Sequence, residues 1–93
     1  MPNFPLSIIT PQGKIFEDQV GFVKAPGAEG SLGILKNHAP IVVMLKKGVL
    51  ELDYNNARKT FMIESGFLEV DPDSNVLVLT EKAVEVNPSY STN

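Results

Sequence analysis

The chain has 93 residues, a formal net charge of −3 and a 43% hydrophobic content, with no cysteine and one histidine. That length suits one domain with one modest core, while the missing thiols exclude disulfides and thiolate metal sites, and a lone imidazole excludes a multi-histidine site within one chain. The acidic balance argues against nucleic-acid binding, which needs clustered Lys and Arg, and the longest apolar run, Ile41–Leu45, falls far short of the roughly 18 residues of a membrane span.

The start, Met1-Pro2-Asn3-Phe4-Pro5, has no charged stretch followed by an apolar one, so it does not read as a signal peptide. Any contact with a membrane is therefore expected to go through protein partners, with no direct insertion. Beyond it, short apolar or alternating runs are separated by Gly, Pro, Asn and Asp, a rhythm of strands and turns. Leu6–Thr10 reads as a strand stopped by Pro11-Gln12-Gly13. Lys14–Asp18 and Val20–Ala25 follow, then a loop over Pro26-Gly27-Ala28-Glu29-Gly30. Ser31–Leu35 resumes the strand pattern, with Leu32 and Ile34 on one face. After Lys36-Asn37-His38-Ala39-Pro40 comes the β-branched run Ile41-Val42-Val43, then a turn at Lys46-Lys47-Gly48.

Val49–Tyr54 alternates most clearly: Leu50, Leu52 and Tyr54 point one way, Glu51 and Asp53 the other. Asn55-Asn56 suits a tight hairpin turn, because Asn tolerates positive φ. Lys59–Glu64 returns with Phe61 and Ile63 on one face; Ser65-Gly66 interrupts, and Phe67–Val70 continues. Asp71-Pro72-Asp73-Ser74-Asn75 is a strong turn signal, followed by Val76–Thr80 and Ala83–Val86. No stretch carries apolar residues at i, i+3, i+4, i+7 over three turns. The expectation is an all-β fold, a β-sandwich of about ten strands with no substantial helix. It forms one domain over 1–86, with a flexible, polar tail over 87–93.

Little in the sequence points to chemistry. The glycines of Ala25–Gly30 invite a phosphate-cradle reading, but the continuation Ser31-Leu32-Gly33-Ile34-Leu35 is strand-like and lacks Gly-Lys-Ser/Thr. Positive φ or close backbone packing explains these glycines more simply. His38 has no spacing that marks an orienting acid and a nucleophile, and Gly-x-Ser-x-Gly is absent. Asp71–Asn75 has a superficial likeness to a calcium loop, but Pro72 and the missing glycine-to-glutamate continuation spoil it. Glu51 and Asp53 belong to a solvated strand face. No catalytic, cofactor-binding or metal-ligating residue is expected. More informative is the apolar excess of Val76-Leu77-Val78-Leu79 and Ile41-Val42-Val43-Met44-Leu45. In a two-layer sandwich only one face of a strand looks inward, so Val42, Met44, Leu77 and Leu79 are expected to look out onto a partner.

Several blocks of the chain resemble a known family. Ala25-Pro26-Gly27-Ala28-Glu29-Gly30-Ser31-Leu32-Gly33-Ile34-Leu35, followed by His38-Ala39-Pro40, closely resembles a motif of the epsilon subunits of F-type ATP synthases. Ile9-Thr10-Pro11-Gln12-Gly13-Lys14-Ile15-Phe16 resembles the opening block of that family, and Gly66-Phe67-Leu68-Glu69-Val70 a later one, with Lys47-Gly48-Val49-Leu50 matching between them. The resemblance implies a sandwich of about ten strands at the foot of the central stalk. Such a rotor subunit performs no bond-making step, binds the gamma subunit and the loops of the c-ring, and couples proton flow to ATP synthesis. It implies c-ring contact at Glu29, Gly30, Ser31 and His38, and makes gamma the partner expected over Val42, Met44, Leu77 and Leu79. It further implies a peripheral membrane protein on the cytoplasmic face of a bacterial inner membrane, or on the stromal thylakoid face in a plastid.

Three departures stand out. Lys36-Asn37 replaces the usual Pro-Gly before the histidine, and Asn can hold the same left-handed turn. Glu64-Ser65 replaces Ser-Gly before Gly66. The chain ends at Asn93, where typical members continue into a C-terminal helical hairpin associated with inhibition of ATP hydrolysis and, in some, with binding ATP. The expectation is that neither property is carried by this chain. Two other classes remain open: a free-standing ligand-binding β-sandwich module, poorly supplied with only Tyr54 and Tyr90 and no Trp, and a small hydrolase using His38 with a nearby carboxylate.

Overall fold

The strand–turn rhythm is realised in a computed structural model that describes residues 2–86. It has ten strands: β1 (Phe4–Thr10), β2 (Gly13–Val20), β3 (Phe22–Gly27), β4 (Gly30–Ile34), β5 (Ile41–Leu45), β6 (Gly48–Tyr54), β7 (Ala57–Ile63), β8 (Gly66–Val70), β9 (Val76–Thr80) and β10 (Ala83–Val86). No helix occurs among the described residues. The expected tail over 87–93 lies outside them.

Hydrogen bonding links the strands in the order β10-β7-β6-β3-β5-β8-β9-β1-β2, with β4 on the other edge of β3. The β3–β5 link is a single residue pair, Gly27 with Leu45, so the structure divides there into two five-stranded layers. Sheet I is β10-β7-β6-β3-β4 and sheet II is β5-β8-β9-β1-β2. All pairings are antiparallel except β1 with β9. The inward residues of both layers form one core, including Phe4, Leu6, Ile8, Ile34, Leu50, Leu52, Phe61, Leu68 and Val78, each almost wholly buried. This is the period-2 alternation read from the sequence, turned toward a common interior.

Turn chemistry explains where the strands stop. Asn55 (φ 53°) and Asn56 (φ 62°) are both left-handed, as a two-residue hairpin requires. Asn37 (φ 68°) takes the left-handed conformation expected of it in place of glycine. The Asp71 carboxylate accepts from the backbone N–H groups of Asp73 and Asn75 at 2.8 and 2.9 Å and from Asn75 Nδ2 at 2.9 Å. Its oxygens serve the turn itself. Those hydrogen bonds, the Asn75 side chain first, hold its pKa below the ordinary carboxylate value.

Several boundaries differ from the sequence reading. The stretch over Pro26-Gly27 and Gly30 is not loop: β3 runs through Gly27, β4 starts at Gly30, and only Ala28-Glu29 turns between them. Pro26 is tolerated inside β3 because it sits where the strand leaves β6, paired over Phe22–Lys24, and before it meets β5 at Gly27. The strand expected from Val20 begins instead at Phe22, since Val20 ends β2. Lys46-Lys47 forms the corner where the chain passes from sheet II to sheet I, with Lys46 N–H bonded to Pro26 C=O at 2.9 Å. Around Glu64-Ser65 the backbone is tied down by Thr80, whose hydroxyl lies 2.9 and 3.0 Å from the carbonyls of Glu64 and Ser65. Gly66 is obligatory beside it: a Cβ there would collide with the Leu79 carbonyl.

Candidate protein-interaction surfaces

The two apolar-on-both-faces strands lie in the same layer. Strand register aligns their outward residues with others from β8 and β1: Met44 opposite Phe67, Phe67 opposite Leu79, Leu79 beside Ile9. The adjacent row is Val42, Glu69, Leu77 and Ser7. At about 4.8 Å per strand, the first row runs roughly 14 Å across the outer face of sheet II. Val42 and Met44 are 66% and 62% exposed, Phe67 and Leu79 49% and 44%, while Ile9 and Leu77 are half-buried. Lys14 and Glu17 of β2 border the rows at their far end. An apolar centre with a charged border is the anatomy of a protein-binding patch.

All four residues expected on this face are therefore brought together. Phe67 and Ile9 were missed, because each belongs to a strand whose own alternation looks ordinary. Their membership depends on register with strands far away in sequence. A smaller apolar row, Val49, Met62 and Val84, with Val86 beside it, crosses the outer face of sheet I.

Glu29, Gly30 and Ser31 form the tip of the β3–β4 hairpin and are all exposed. Gly30 has φ 134°, a conformation closed to residues with a Cβ. Gly27 must also lack a side chain, since a Cβ there would stand 2.5 Å from the Gly30 carbonyl oxygen. No helix follows the hairpin, so the backing that a phosphate loop needs is missing. His38 lies beyond the other end of β4, so the strand's length of about 13 Å separates it from the hairpin tip. Its backbone N–H bonds to Leu35 C=O at 3.2 Å, and the loop is fastened to the β8–β9 turn by Asn37 N–H on the Ser74 hydroxyl at 3.2 Å. Nδ1 of His38 donates to the Ala39 carbonyl at 2.7 Å, and no ion pair among the described residues involves it. A groove of about 380 Å³ lies beside the hairpin tip, lined by Glu29, Ser31, Leu32, Val42 and Met44 among others.

A larger polar cleft, of about 800 Å³, opens elsewhere, between the ends of β2, β3 and β6. Its charged groups are engaged with one another. Tyr54 Oη donates to Asp18 at 2.7 Å; this bond, followed by that from the Gln19 N–H, lowers the Asp18 pKa, and the bond to Asp18 also leads the causes that raise the Tyr54 pKa. Arg58 Nε donates to Asp53 at 2.9 Å and Nη1 to Glu51 at 3.0 Å, and the Asp53 bond leads the causes that raise the Arg58 pKa. Among the described residues no three His, Cys, Asp or Glu side chains are placed to hold a metal ion.

The family model for the ATP synthase, Delta/Epsilon chain, beta-sandwich domain matches residues 3–86. The chain belongs to that family. Among curated relatives, the ATP synthase epsilon chain of Pelotomaculum thermopropionicum is 40% identical over 85 residues, covering 88% of this chain and 63% of the relative. That of Syntrophomonas wolfei is 43% identical over 82 residues, covering 87% and 59%. That of Caulobacter vibrioides is 38% identical over 85 residues, covering 91% and 98%. The chain thus spans about three fifths of the first two relatives and nearly all of the third. A chain of the Euglena gracilis mitochondrial ATP synthase, in an assembly of OSCP, F1 and c-ring, superposes with a TM-score of 0.85 at 24% identity, covering 97% of this chain and 60% of that one. One from the Tetrahymena thermophila mitochondrial ATP synthase central stalk and c-ring gives 0.77 at 17%, covering 89% and 66%. These likenesses place the fold of this chain among the beta-sandwich domains of the delta/epsilon family.

Proposed function

We propose that the chain is a non-catalytic rotor subunit of a proton-translocating ATP synthase, holding the gamma subunit to the c-ring. The outer face of sheet II takes gamma, and the β3–β4 hairpin tip with the His38 loop takes the polar loops of the ring. The observation that carries this reading is the row Met44–Phe67–Leu79–Ile9, aligned by register across four strands of one layer. Covering apolar area is worth about 25 cal/mol per Å², so a patch of this kind holds a protein partner without chemistry of its own. Glu29 on an exposed, glycine-shaped tip suits neighbouring basic or polar loops. In this role the protein works at the cytoplasmic face of the inner membrane, or the stromal thylakoid face, held there by its partners. The family and the epsilon-chain relatives support the assignment.

The test is a pull-down of purified gamma by the purified chain. Wild type is expected to retain gamma, and Phe67→Glu, which plants a charge mid-row, is expected to lose it while still unfolding cooperatively, within about 10 °C of wild type. A folded wild-type chain that ignores gamma refutes the assignment.

A further inference from the structure

The groove beside the hairpin tip is bounded by two strand edges, and the backbone chemistry of one of them says what fits it. Pro26 C=O is turned to Lys46 N–H, away from β4, so the Pro26–Ser31 pair is not hydrogen-bonded across the hairpin. By the alternation of an antiparallel ladder, Ser31 and Gly33 both direct their N–H and C=O groups off the free edge of β4, about 6.8 Å apart. Neither residue has another hydrogen-bond partner among the described residues. The edges of β2 and β10 carry charge, and that of β5 is partly engaged. Lys14, Glu17 and Asp18 stud β2, and Glu85 stands in β10. Pro40 precedes β5, whose Met44 carbonyl is already taken by Ala28 N–H at 2.8 Å. β4, Gly-Ser-Leu-Gly-Ile, has neither charge nor proline, the devices by which natural sheets keep other chains off an edge.

We propose that the free edge of β4 is a strand-addition site, taking an extended segment of a rotor partner as the sixth strand of sheet I. Only an extended backbone matches donors and acceptors at this spacing. The groove states the rest of its chemistry. Leu32 and Val43, both half-buried, meet over Gly27 at the seam between the layers, so the incoming strand places an apolar side chain inward over them. Its outward residues are polar, and a basic residue lies at the end beside Glu29, which makes no ion pair among the described residues. Unlike the side-chain patch on sheet II, this contact is made by backbone; it rests on the rotor reading for the identity of the partner.

The test is amide hydrogen exchange on the free chain and on the chain in its complex isolated from native membranes. In the free chain the Ser31 and Gly33 amides are expected to exchange fast and that of Leu32, bonded to β3, slowly. In the complex Ser31 and Gly33 are expected to slow at least about a hundredfold, with Leu32 unchanged. Recovery of gamma and ring with Ser31 and Gly33 still fast overturns the strand addition and leaves the rotor assignment standing. Recovery of the chain alone overturns both. Leu32→Lys, an inward-pointing charge of the kind that guards natural edges, is expected to reduce recovery in the complex about tenfold or more. Full recovery of that variant also overturns the proposal.

Discussion

Phe67 and Leu68 are neighbours in β8, and the structure assigns them opposite duties. Leu68 is 0% exposed in the core and Phe67 is 49% exposed in the row across sheet II. Truncating Leu68 to alanine leaves a cavity between the layers, where large-to-small changes cost about 3 to 4 kcal/mol. For a domain of this size each kcal/mol moves Tm by about 5 °C, so Leu68→Ala is expected to lower it by roughly 15 to 20 °C. Phe67 has given up only about half of its contact with water. Phe67→Ala is expected to cost about 1 kcal/mol, near 5 °C, despite removing the larger side chain. Scanning calorimetry on both variants, checked by urea titration with unchanged slopes, measures the contrast. Equal losses, or a greater loss at Phe67, would mean that β8 is seated one residue out of register, since a one-residue slip exchanges the two faces. The row of exposed apolar side chains, and with it the gamma-binding assignment, would then lose its basis.

The β6–β7 turn gives a local test. Asn56→Ala places an alanine at φ 62° and is expected to cost about 1 to 2 kcal/mol by urea denaturation, whereas Asn56→Gly stays within about 0.5 kcal/mol of wild type or gains slightly. A second test is electrostatic. The Tyr54 hydroxyl bond leads the causes that lower the Asp18 pKa in the fold. A carboxyl whose folded pKa is depressed contributes stability that is present above its unfolded value and is lost as pH falls through the folded one. Tyr54→Phe is expected to move the Asp18 pKa up toward the ordinary 3.8, read by NMR titration of its carboxyl carbon, and to reduce the loss of stability on acidification. An unmoved Asp18 would show that the bond is not formed in solution.

Much of this is legible in the sequence. Leu50, Leu52, Phe61 and Ile63 declare their inward face by alternation alone, and Asn37, Asn55 and Asn56 declare their turns because few other residues with a Cβ accept positive φ. Pro26 misled the reading: a proline next to a glycine signals a loop. Its place in β3 depends on a gap in the ladder that only the passage from β6 to β5 creates. Glu29, Gly30 and Ser31 could be placed on an exposed tip, but nothing local says that β4 holds them about 13 Å from His38.

Each strand's period, each turn's chemistry and the excess of apolar residues at 42, 44, 77 and 79 can be read along the chain. These are local properties, set by φ/ψ preferences and by which side of a pleat a residue occupies. That β5, β8, β9 and β1 lie side by side, so that Phe67 and Ile9 complete one row, and that no other strand among the described residues pairs with the outer edge of β4, follow only from how the layers assemble. Pairing between strands far apart in the chain is fixed by burying two faces against each other. That free energy belongs to the assembled layers and to no single segment.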